Sequence, residues 1–541
     1  MLSLINLSKT FGHKVLFKDL TQTISQGAHV ALVGANGAGK TSLLNIICGL
    51  DKCDSNGQIV IPKGFKIGYL PQEINPNPKH SLFEEALSGH SDLYPLHVKR
   101  DVVLKQMEEN YTEEIHHVYE QVENEYQNLN GYQLEGDADK LLKGLGFLEK
   151  DLQRNPKEFS GGWRMRLELA KVLVNQPDVL VLDEPTNHLD LPSLMFLENY
   201  LINFKGTLLF VSHDQDLLDR LAKKVLYLRD GKISEYTGNF SSFLEQHALE
   251  KEQAAAQHEN LNKKIEHNQK FIDRFGAKAS KATQAQSKQK AVDRLKSMQS
   301  TIEIEGKQAA PHINIPLLKQ SVKNVLTIED MTVGYTAPLI KKIKLMVQRG
   351  QKIAIVGANG IGKSTILKSL IGEIPLLEGY VKQGENVQLG YYAQSQLDQL
   401  NLSASAFDNV LESNGLLTEG DVRRILGSLL FKDQDVRKPV AVMSGGEKSR
   451  VGLACMIAKK ANTLLMDEPT NHLDLISQEN LADSLIKYPG TLIFVSHDRR
   501  FINRIATHVL GVKSNGQHLF VKGNLDAFFE DAQRLKFDLM Q

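Results

Sequence analysis

Short apolar runs recur along the chain, and each run stops where polar or glycine residues begin. One run at 30–33 precedes a glycine-rich turn and a helix-like segment at 41–47. Two further runs, at 179–182 and 207–211, also end in polar residues. Uninterrupted apolar runs of this length are typical of strands covered on both faces of a parallel sheet. Their alternation with helices predicts an α/β fold whose site lies at the carboxyl ends of the strands.

The same series of motifs occurs twice. The glycine-rich loop at 34–41 recurs at 357–364, and the eight residues at 183–190 recur unchanged at 467–474. A Ser-Gly-Gly triplet and a Val-Ser-His-Asp tetrapeptide are repeated at matching distances. The chain is therefore predicted to contain two copies of one module.

One interval between motifs differs in the two copies. Gln72 lies 88 positions before Ser160, whereas Gln394 lies 50 positions before Ser444. We therefore predict an insertion of about 38 residues in the first copy and place it near 89–130, where the sequence is rich in Glu. The predicted domains are a first module at 1–250 with this helical insertion, a linker at 251–323 and a second module at 324–541.

The zero net charge of the 541-residue chain hides two segments of opposite sign. Between Glu84 and Glu125 there are eleven acidic residues and three basic ones, within and beside the predicted insertion. Between Lys263 and Met298 there are ten basic residues and three acidic ones, within the linker. A basic surface with few base-reading groups favours binding of RNA by charge and shape.

The linker also has a thin apolar seam, which indicates two helices packed on each other. The seam consists of Ile265, Ile272, Phe275, Val292 and Leu295. Four basic residues fall at helical spacing and can share one face of the hairpin: Arg274, Lys278, Lys281 and Lys288. A solvated charged linker without a partner is the alternative interpretation.

The composition of the chain indicates the cellular environment of the protein. The three cysteines, Cys48, Cys53 and Cys455, have no metal-ligand spacing and fit a reducing cytosol. The N-terminus lacks the basic head and apolar run of a signal peptide. Since no segment approaches the roughly 20 apolar residues that span a bilayer, we expect a soluble protein without a membrane domain.

Each glycine-rich loop has the pattern Gly-x-x-x-x-Gly-Lys-Thr/Ser, a P-loop. Its glycines let backbone N–H groups surround phosphates, and the helix that follows points its positive end at them. Lys40 and Lys363 are predicted to reach the β- and γ-phosphates of a nucleotide. The hydroxyl groups of Thr41 and Ser364 are predicted to bind Mg²⁺.

Acidic residues follow two of the apolar runs. Asp183 and Asp467 end their strands, where a carboxylate completes the Mg²⁺ coordination. Glu184 and Glu468 come directly afterwards and are candidate general bases for the attacking water.

A histidine and an aromatic residue complete each candidate site. His213 and His497 end another strand and are candidates to hold the γ-phosphate or the water; an ordinary loop histidine is the alternative. Phe11 and Tyr335 precede their P-loops by matching distances and are candidate platforms for the nucleotide base, with core packing as the alternative.

These motifs, in this order and twice over, resemble those of ATP-binding cassette ATPases, and the resemblance covers nearly the whole chain. It implies ATP hydrolysis with ATP and Mg²⁺ as cofactors. It also implies two P-loop cassettes that associate head to tail, with each ATP between one P-loop and the Ser-Gly-Gly signature of the other cassette. The loop at 34–41 would then face 444–447, and the loop at 357–364 would face 160–163.

The resemblance extends the set of site residues. The nucleotide-binding residues that it implies in the first copy are Phe11, Gly34, Asn36, Gly37, Gly39, Lys40, Thr41, Ser42, Gln72, Ser160, Gly161, Gly162 and Asp183. Those in the second copy are Tyr335, Gly357, Asn359, Gly360, Gly362, Lys363, Ser364, Thr365, Gln394, Ser444, Gly445, Gly446 and Asp467. The implied Mg²⁺ ligands are Thr41, Gln72 and Asp183, and Ser364, Gln394 and Asp467.

Departures from the common Leu-Ser-Gly-Gly-Gln signature narrow the resemblance. Phe159 and Met443 replace the Leu, and Trp163 and Glu447 replace the Gln. With the repeated Asp-Glu-Pro-Thr-Asn-His-Leu-Asp, these signatures are similar to those of the ABC-F proteins, most of all the YheS type. In that family the insertion is an arm and the linker is a tRNA-interacting hairpin. Some relatives continue into a C-terminal coiled coil, which we expect this chain to lack because it ends at Gln541.

The resemblance implies a cytoplasmic, ribosome-associated translation factor that works as a monomer with an intramolecular cassette dimer. Closure on ATP would place the linker near the ribosomal exit site and the tRNA in the peptidyl site, and hydrolysis would release the factor. RNA should repel the acidic arm, so we expect a basic ribosomal protein as its partner. The alternative is a fused twin-cassette energy subunit of a transporter, but the long basic linker and the two intact sites favour the translation factor.

Overall fold

The structure is a computed structural model that describes the chain except for residues 13, 36, 55, 71–79, 187–188, 276–281, 301–314, 317–318, 394–399, 432–434, 471–472, 474, 514 and 538–541. It confirms the predicted α/β fold with two cassettes of one architecture.

Within the described residues of the first cassette, nine strands form two sheets. The strands are β1 (Leu2–Phe11), β2 (Lys14–Ile24), β3 (His29–Val33), β4 (Gln58–Val60), β5 (Ile67–Leu70), β6 (Val179–Asp183), β7 (Thr207–Val211), β8 (Lys224–Arg229) and β9 (Lys232–Thr237). A small antiparallel sheet has the order β2-β1-β4, and a six-stranded sheet has the order β5-β6-β7-β3-β8-β9. Its first five strands are parallel.

The parallel sheet positions the site. Strands β3, β6 and β7 are buried at every residue, as expected for strands covered on both faces. Asp183 at the end of β6 pairs with Val211 at the end of β7, and the P-loop follows β3 beside them. The polar segments that follow these three neighbouring strands therefore meet at one edge of the sheet.

The helices of the first cassette pack on this sheet and form the arm. They are α1 (Lys40–Ile47), α2 (Leu82–Leu87), α3 (Leu93–Glu109), α4 (Glu113–Asn128), α5 (Gly131–Gly144), α6 (Gly161–Val174), α7 (Leu191–Ile202) and α8 (Gln215–Leu221). Helices α3 and α4 occupy the segment where the sequence predicts the insertion. The hydroxyl group of Tyr126 donates to Glu135 Oε1 at 2.5 Å, and the Arg100 guanidinium lies 4.4 Å from the Tyr126 ring. These contacts tie α3, α4 and α5 together at the base of the arm.

The described part of the linker contains two helices, α9 (Phe240–Phe275), which starts before it, and α10 (Ala282–Ser300). Helix α9 begins inside the segment assigned to the first module and continues past residue 251 without a break. Of the predicted seam, Val292 is fully buried, and Ile265, Ile272 and Leu295 are half-buried. The Lys288 ammonium group donates to Asn268 Oδ1 at 2.8 Å, which joins the two helices.

The second cassette repeats the plan. Its strands are β10 (Asn324–Gly334), β11 (Pro338–Gln348), β12 (Lys352–Val356), β13 (Glu378–Gln383), β14 (Leu389–Tyr392), β15 (Thr463–Asp467), β16 (Thr491–Val495), β17 (His508–Val512) and β18 (His518–Lys522). Its helices are α11 (Lys363–Leu370), α12 (Ala406–Ser413), α13 (Glu419–Ser428), α14 (Gly445–Ala458), α15 (Leu475–Lys487), α16 (Arg499–Ile505) and α17 (Leu525–Arg534). The sheet orders, β11-β10-β13 and β14-β15-β16-β12-β17-β18, match those of the first cassette.

The two cassettes contact each other through polar side chains near α8 and α16. Gln215 Nε2 donates to Glu479 Oε1 at 3.0 Å, and Arg499 forms a 3.0 Å ion pair with Glu198. Both members of this ion pair are nearly inaccessible to solvent, with side chains 8% and 5% exposed.

Candidate functional site: the two P-loops and the cavity between the cassettes

Both P-loops form compact turns at the start of a helix. Gly39 and Gly362 cap α1 and α11 with φ of 103° and 108°, a left-handed conformation that favours glycine. A Cβ atom at Gly39 would also lie 3.1 Å from the Leu16 side chain. The sequence places glycine here because a larger residue would distort the loop that leads into the helix.

The P-loop lysines lie over the loops that precede them. Lys40 Nζ donates to the carbonyl groups of Gly34 and Ala35 at 2.8 and 3.2 Å. Lys363 Nζ donates to the carbonyl groups at 357 and 358 at 2.9 Å each. The ammonium groups therefore lie within the phosphate-binding loops, as the motif requires.

The predicted metal ligands that the structure describes lie together. The Thr41 hydroxyl group hydrogen-bonds to Asp183, and the Ser364 hydroxyl group hydrogen-bonds to Asp467. Oδ2 of Asp183 is buried and has no hydrogen-bond partner among the described residues. A buried, unpartnered carboxylate oxygen beside a hydroxyl oxygen is a donor set that fits Mg²⁺.

Glu184 and Glu468 have an unusual backbone conformation for a non-glycine residue. Their φ values are 52° and 48°, and their N–H groups donate to Val211 and Val495 at 3.0 Å. Strain of this kind is typical of functional positions. It holds each glutamate directly beyond its strand, next to the aspartate that ends the strand.

Each glutamate is paired with the predicted histidine. The His213 Nε2 to Glu184 Oε1 distance is 3.3 Å, and the His497 Nε2 to Glu468 Oε1 distance is 3.2 Å. Burial, with a smaller contribution from the neighbouring aspartate, raises the pKa of Glu184 to about 7. Burial likewise raises the pKa of Glu468, and it lowers the pKa of His497 well below its usual value.

A cavity of about 690 Å³ joins the second P-loop to residues of the first cassette. Tyr335, Lys363 and Glu468 line it from the second cassette, and Glu184 and His213 line it from the first. The aromatic candidates are both exposed, Phe11 to 76% and Tyr335 to 65%, so core packing does not explain them.

The sequence indicated no role for Asp190, yet in the structure Asp190 of the first cassette contacts the second cassette. Its Oδ2 accepts a hydrogen bond from the backbone N–H of Asn359, in the second P-loop, at 2.7 Å. Asp190 is also paired with Arg166 of α6. Both residues recur at the same position in the second copy, as Asp474 and Arg450, so the repeat contained the signal.

The two signature segments begin α6 and α14 and differ in their contacts. Ser160 caps α6 without a side-chain hydrogen bond. Ser444 caps α14, and Glu447 Oε2 accepts hydrogen bonds from both its N–H and its hydroxyl group at 2.8 Å. Ser160 and Ser444 are both exposed at the surface.

Several predicted residues lie outside the described part of the structure: Asn36, Gln72, Gln394, Lys278 and Lys281. Arg274 lies in α9, but its side chain is not described. The part of the linker that the structure describes includes Lys288, half-buried between the two helices.

Two cassettes, each with a P-loop, a strand-end Asp-Glu pair and a histidine on that glutamate, define the ATP-binding cassette class of ATPases. The family model described as ABC transporter matches residues 17–187 and again 340–471, and a second model of that description matches 226–312. The ATP-binding protein YdiF of Bacillus subtilis is 39% identical over 95% of this chain and 80% of its own length. YheS of Haemophilus influenzae is 37% identical over 98% of this chain and 81% of its length.

ABC transporter F family member 2 of Arabidopsis thaliana is 32% identical over 98% of this chain and 80% of its own length. The chain belongs to the ABC-F family of ATP-binding cassette proteins and is an ATPase.

Solved structures share the fold. The archaeal ribosome recycling factor aABCE1, in complex with the ribosomal stalk protein aP1, aligns with a TM-score of 0.63 at 17% identity, over 98% of this chain and 92% of its own. A structure of RNase-L Inhibitor aligns with a TM-score of 0.62 at 17% identity, over 98% and 93% of the two chains. Among the described residues, no helix is both long and apolar enough to cross a bilayer.

Proposed function

We propose that this ATPase acts on the ribosome as a translation factor in the cytoplasm. Closure of the two cassettes on ATP positions the basic linker near tRNA in the exit and peptidyl region, and hydrolysis releases the factor. The observation that carries the proposal is helix α9. It runs for 36 residues from the tail of the first cassette into the linker, so movement of the cassette is passed directly to the hairpin.

Contacts at the start of α9 support this transfer of movement from the cassette to the hairpin. Phe243 lies among aromatic rings, 4.9 Å from Tyr236 and 5.3 Å from Tyr227, and His247 stacks on it at 5.4 Å. The Tyr236 hydroxyl group donates to Glu250 at 2.7 Å. Two turns of α9 are thus fixed to β8 and β9, so the helix leaves the cassette at a fixed angle.

The names of structural neighbours support ribosome binding. One neighbour is named an archaeal ribosome recycling factor, and another structure is described as ribosome-bound archaeal Pelota and ABCE1. The charge of this chain supports it too, because a hairpin rich in Lys and Arg attracts RNA phosphates. The proposed RNA contacts are Arg274, Lys278, Lys281 and Lys288, and the acidic arm of α3 and α4 contacts a basic ribosomal protein.

In this proposal each ATP lies between one P-loop and the signature of the other cassette. Lys40 and Lys363 bind the β- and γ-phosphates, and Glu184 and Glu468 accept the proton of the attacking water. His213 and His497, which contact those glutamates, hold the γ-phosphate or the attacking water. Mg²⁺ would be held by Thr41, Gln72 and Asp183 in one site and by Ser364, Gln394 and Asp467 in the other, and it would neutralise charge on the phosphates. The division into cassettes at 1–250 and 324–541 around the linker belongs to the same proposal.

A double substitution tests the function. Glu184→Gln with Glu468→Gln removes both bases while preserving shape, so ATP should bind without being hydrolysed and the closed state should accumulate. We expect this variant to co-sediment with ribosomes in ATP and to slow translation, and to do neither in ADP. Lys40→Ala with Lys363→Ala in the same background is the control that should not bind. Absence of ribosome binding by the first variant in ATP would overturn the proposal.

A further inference from the structure

Arg166 is a buried cation that is held from several sides. Its side chain is 1% exposed and forms a 3.2 Å ion pair with Asp190. It also donates to the carbonyl group of Leu145 at 3.1 Å and to Ser193 Oγ at 3.2 Å. The Trp163 ring lies 4.5 Å from the guanidinium group. Helix α6, which carries Arg166, and the loop that carries Asp190 are therefore joined as one unit.

Asp190 extends this unit into the second ATP site. One of its oxygens accepts from the Ser193 N–H group at 3.0 Å, and the other accepts from the Asn359 N–H group at 2.7 Å. Burial alone would raise the pKa of Asp190, but Arg166 and the hydrogen bond from Asn359 lower it to about 2. Arg166 thus keeps an anion against the second P-loop.

Asn359 continues the chain of contacts to the reacting groups. Its Oδ1 lies 3.1 Å from His497 Nε2 and 3.3 Å from Lys363 Nζ. His497 in turn contacts Glu468 at 3.2 Å. A continuous series of polar contacts therefore runs from the signature helix of the first cassette to the proposed base of the second.

We infer that Arg166 is a positioning residue for ATP hydrolysis at the second P-loop. Arg166 holds the start of α6 and Asp190 in one unit, so both approach that P-loop together. Asn359 and His497 are therefore oriented only when the first cassette is docked. Movement of α6 away from the nucleotide would withdraw Asp190 and release Asn359. The inference rests on the proposed role of Glu468 in hydrolysis, and it is independent of the ribosome.

The test compares single-turnover ATP hydrolysis by the full chain in two backgrounds. With Glu184→Gln only the second site hydrolyses, and with Glu468→Gln only the first does. Arg166→Met should slow hydrolysis at least tenfold in the first background and less than twofold in the second. A purely structural defect would slow both sites alike, and that result would overturn the inference, as would an unchanged second site.

Two further variants keep the test decisive. Because Arg166→Met leaves a buried carboxylate unpaired, Arg166→Met with Asp190→Asn removes both charges and should fold while keeping the site-selective loss. Recovery of the normal second-site rate in this double variant would overturn the inference. Arg154→Met is the matched control, since Arg154 also pairs with an aspartate, at 2.9 Å, and lies 4.5 Å from the Phe159 ring. It should leave both rates unchanged; if its loss matches that of Arg166→Met, the inference fails.

The design separates this inference from the proposed function. If the chain with Arg166 intact hydrolyses no ATP in the Glu184→Gln background, the role proposed for Glu468 is wrong, and the inference falls with it. If the selective loss is found but the trapped double variant ignores ribosomes, the inference stands and the translation role fails.

Discussion

The two cassettes carry the same groups at their candidate nucleotide sites but differ at the helix that begins at each Ser-Gly-Gly. In the first cassette Trp163 turns toward the protein and covers Arg166 at 4.5 Å. In the second cassette Glu447 turns back and caps Ser444 through two 2.8 Å hydrogen bonds. Ser160 therefore makes no side-chain cap hydrogen bond to its helix, whereas Ser444 is held by the carboxylate of Glu447.

The duplicated cassettes keep the residues of the candidate ATPase site and differ in their signature segments. The P-loop lysine and the Asp-Glu pair are the same in both copies, as expected if both sites hydrolyse ATP. The fourth signature position differs, with Trp163 in one copy and Glu447 in the other. In the proposed head-to-tail arrangement this difference would let the two sites respond differently to the same ATP concentration.

The largest expected difference concerns the arginines of the two signature helices. Arg166 is fully buried on Asp190, whereas its counterpart Arg450 is only half-buried, 5.5 Å from the Phe431 ring. We expect Arg166→Met to lower the free energy of unfolding by about 3–5 kcal/mol, because it leaves a buried carboxylate without its cation. Arg450→Met should cost less, about 1–2 kcal/mol.

Urea unfolding followed by circular dichroism measures both losses in the full chain. The transition that includes the first cassette should move to lower urea for Arg166→Met by more than the other transition moves for Arg450→Met. Equal losses would show that the two signature helices are anchored alike and would remove the asymmetry.

Much of the nucleotide site was predictable from the sequence, because its chemistry is local. Lys40 and Thr41 follow a strand at P-loop spacing, and Asp183 and Glu184 end another strand, so neighbouring parallel strands bring them together. The repeat then singled out His213, which the structure places 3.3 Å from Glu184. Both the α/β class and the helical linker follow from the same patterns.

The contact of Asp190 with the second cassette was not predictable, because it depends on docking rather than on local pattern. The repeat shows that Asp190 recurs, but only the packed pair of cassettes reveals that Asp190 meets the Asn359 N–H group. The predicted boundary between the first module and the linker, at residue 250, also does not coincide with the end of a helix or strand. Composition changes there, but Ala, Gln, Glu and Lys all favour helix, so α9 continues through the change.

A smaller effect, on ATP affinity, is expected from substitution of Glu447 in the second signature. In the proposed head-to-tail arrangement, Glu447 faces the phosphates held by the first P-loop, and like charges repel. Glu447→Gln keeps the capacity to cap Ser444 but removes the charge. Relief of about 1 kcal/mol of repulsion would tighten ATP binding at the first site by about fivefold.

Nucleotide titration in a Lys363→Ala background, where only the first P-loop binds, measures this affinity. Trp163→Gln in a Lys40→Ala background is the matched substitution at the second site. It should bring no gain in affinity, because no charge is removed there. Unchanged binding for Glu447→Gln would mean that this carboxylate does not face the nucleotide and that the signatures differ only in packing.

The smallest expected effect, on ribosome binding, concerns the difference between the segments that follow the two cassettes. Helix α9 continues into the linker, whereas its counterpart α17 spans only Leu525–Arg534. Lys288 of the hairpin donates to Asn268 at 2.8 Å, and Lys319, in the part of the linker that follows the hairpin, donates to Asn386 at 3.1 Å. If only the hairpin formed by α9 and α10 contacts RNA, Lys288→Ala should weaken ribosome binding of the Glu184→Gln, Glu468→Gln variant about two- to threefold. It should also lower the slope of log affinity against log salt by about 1, whereas Lys319→Ala should change neither quantity. Equal effects of the two substitutions would indicate diffuse charge attraction and would contradict a specific role for the hairpin.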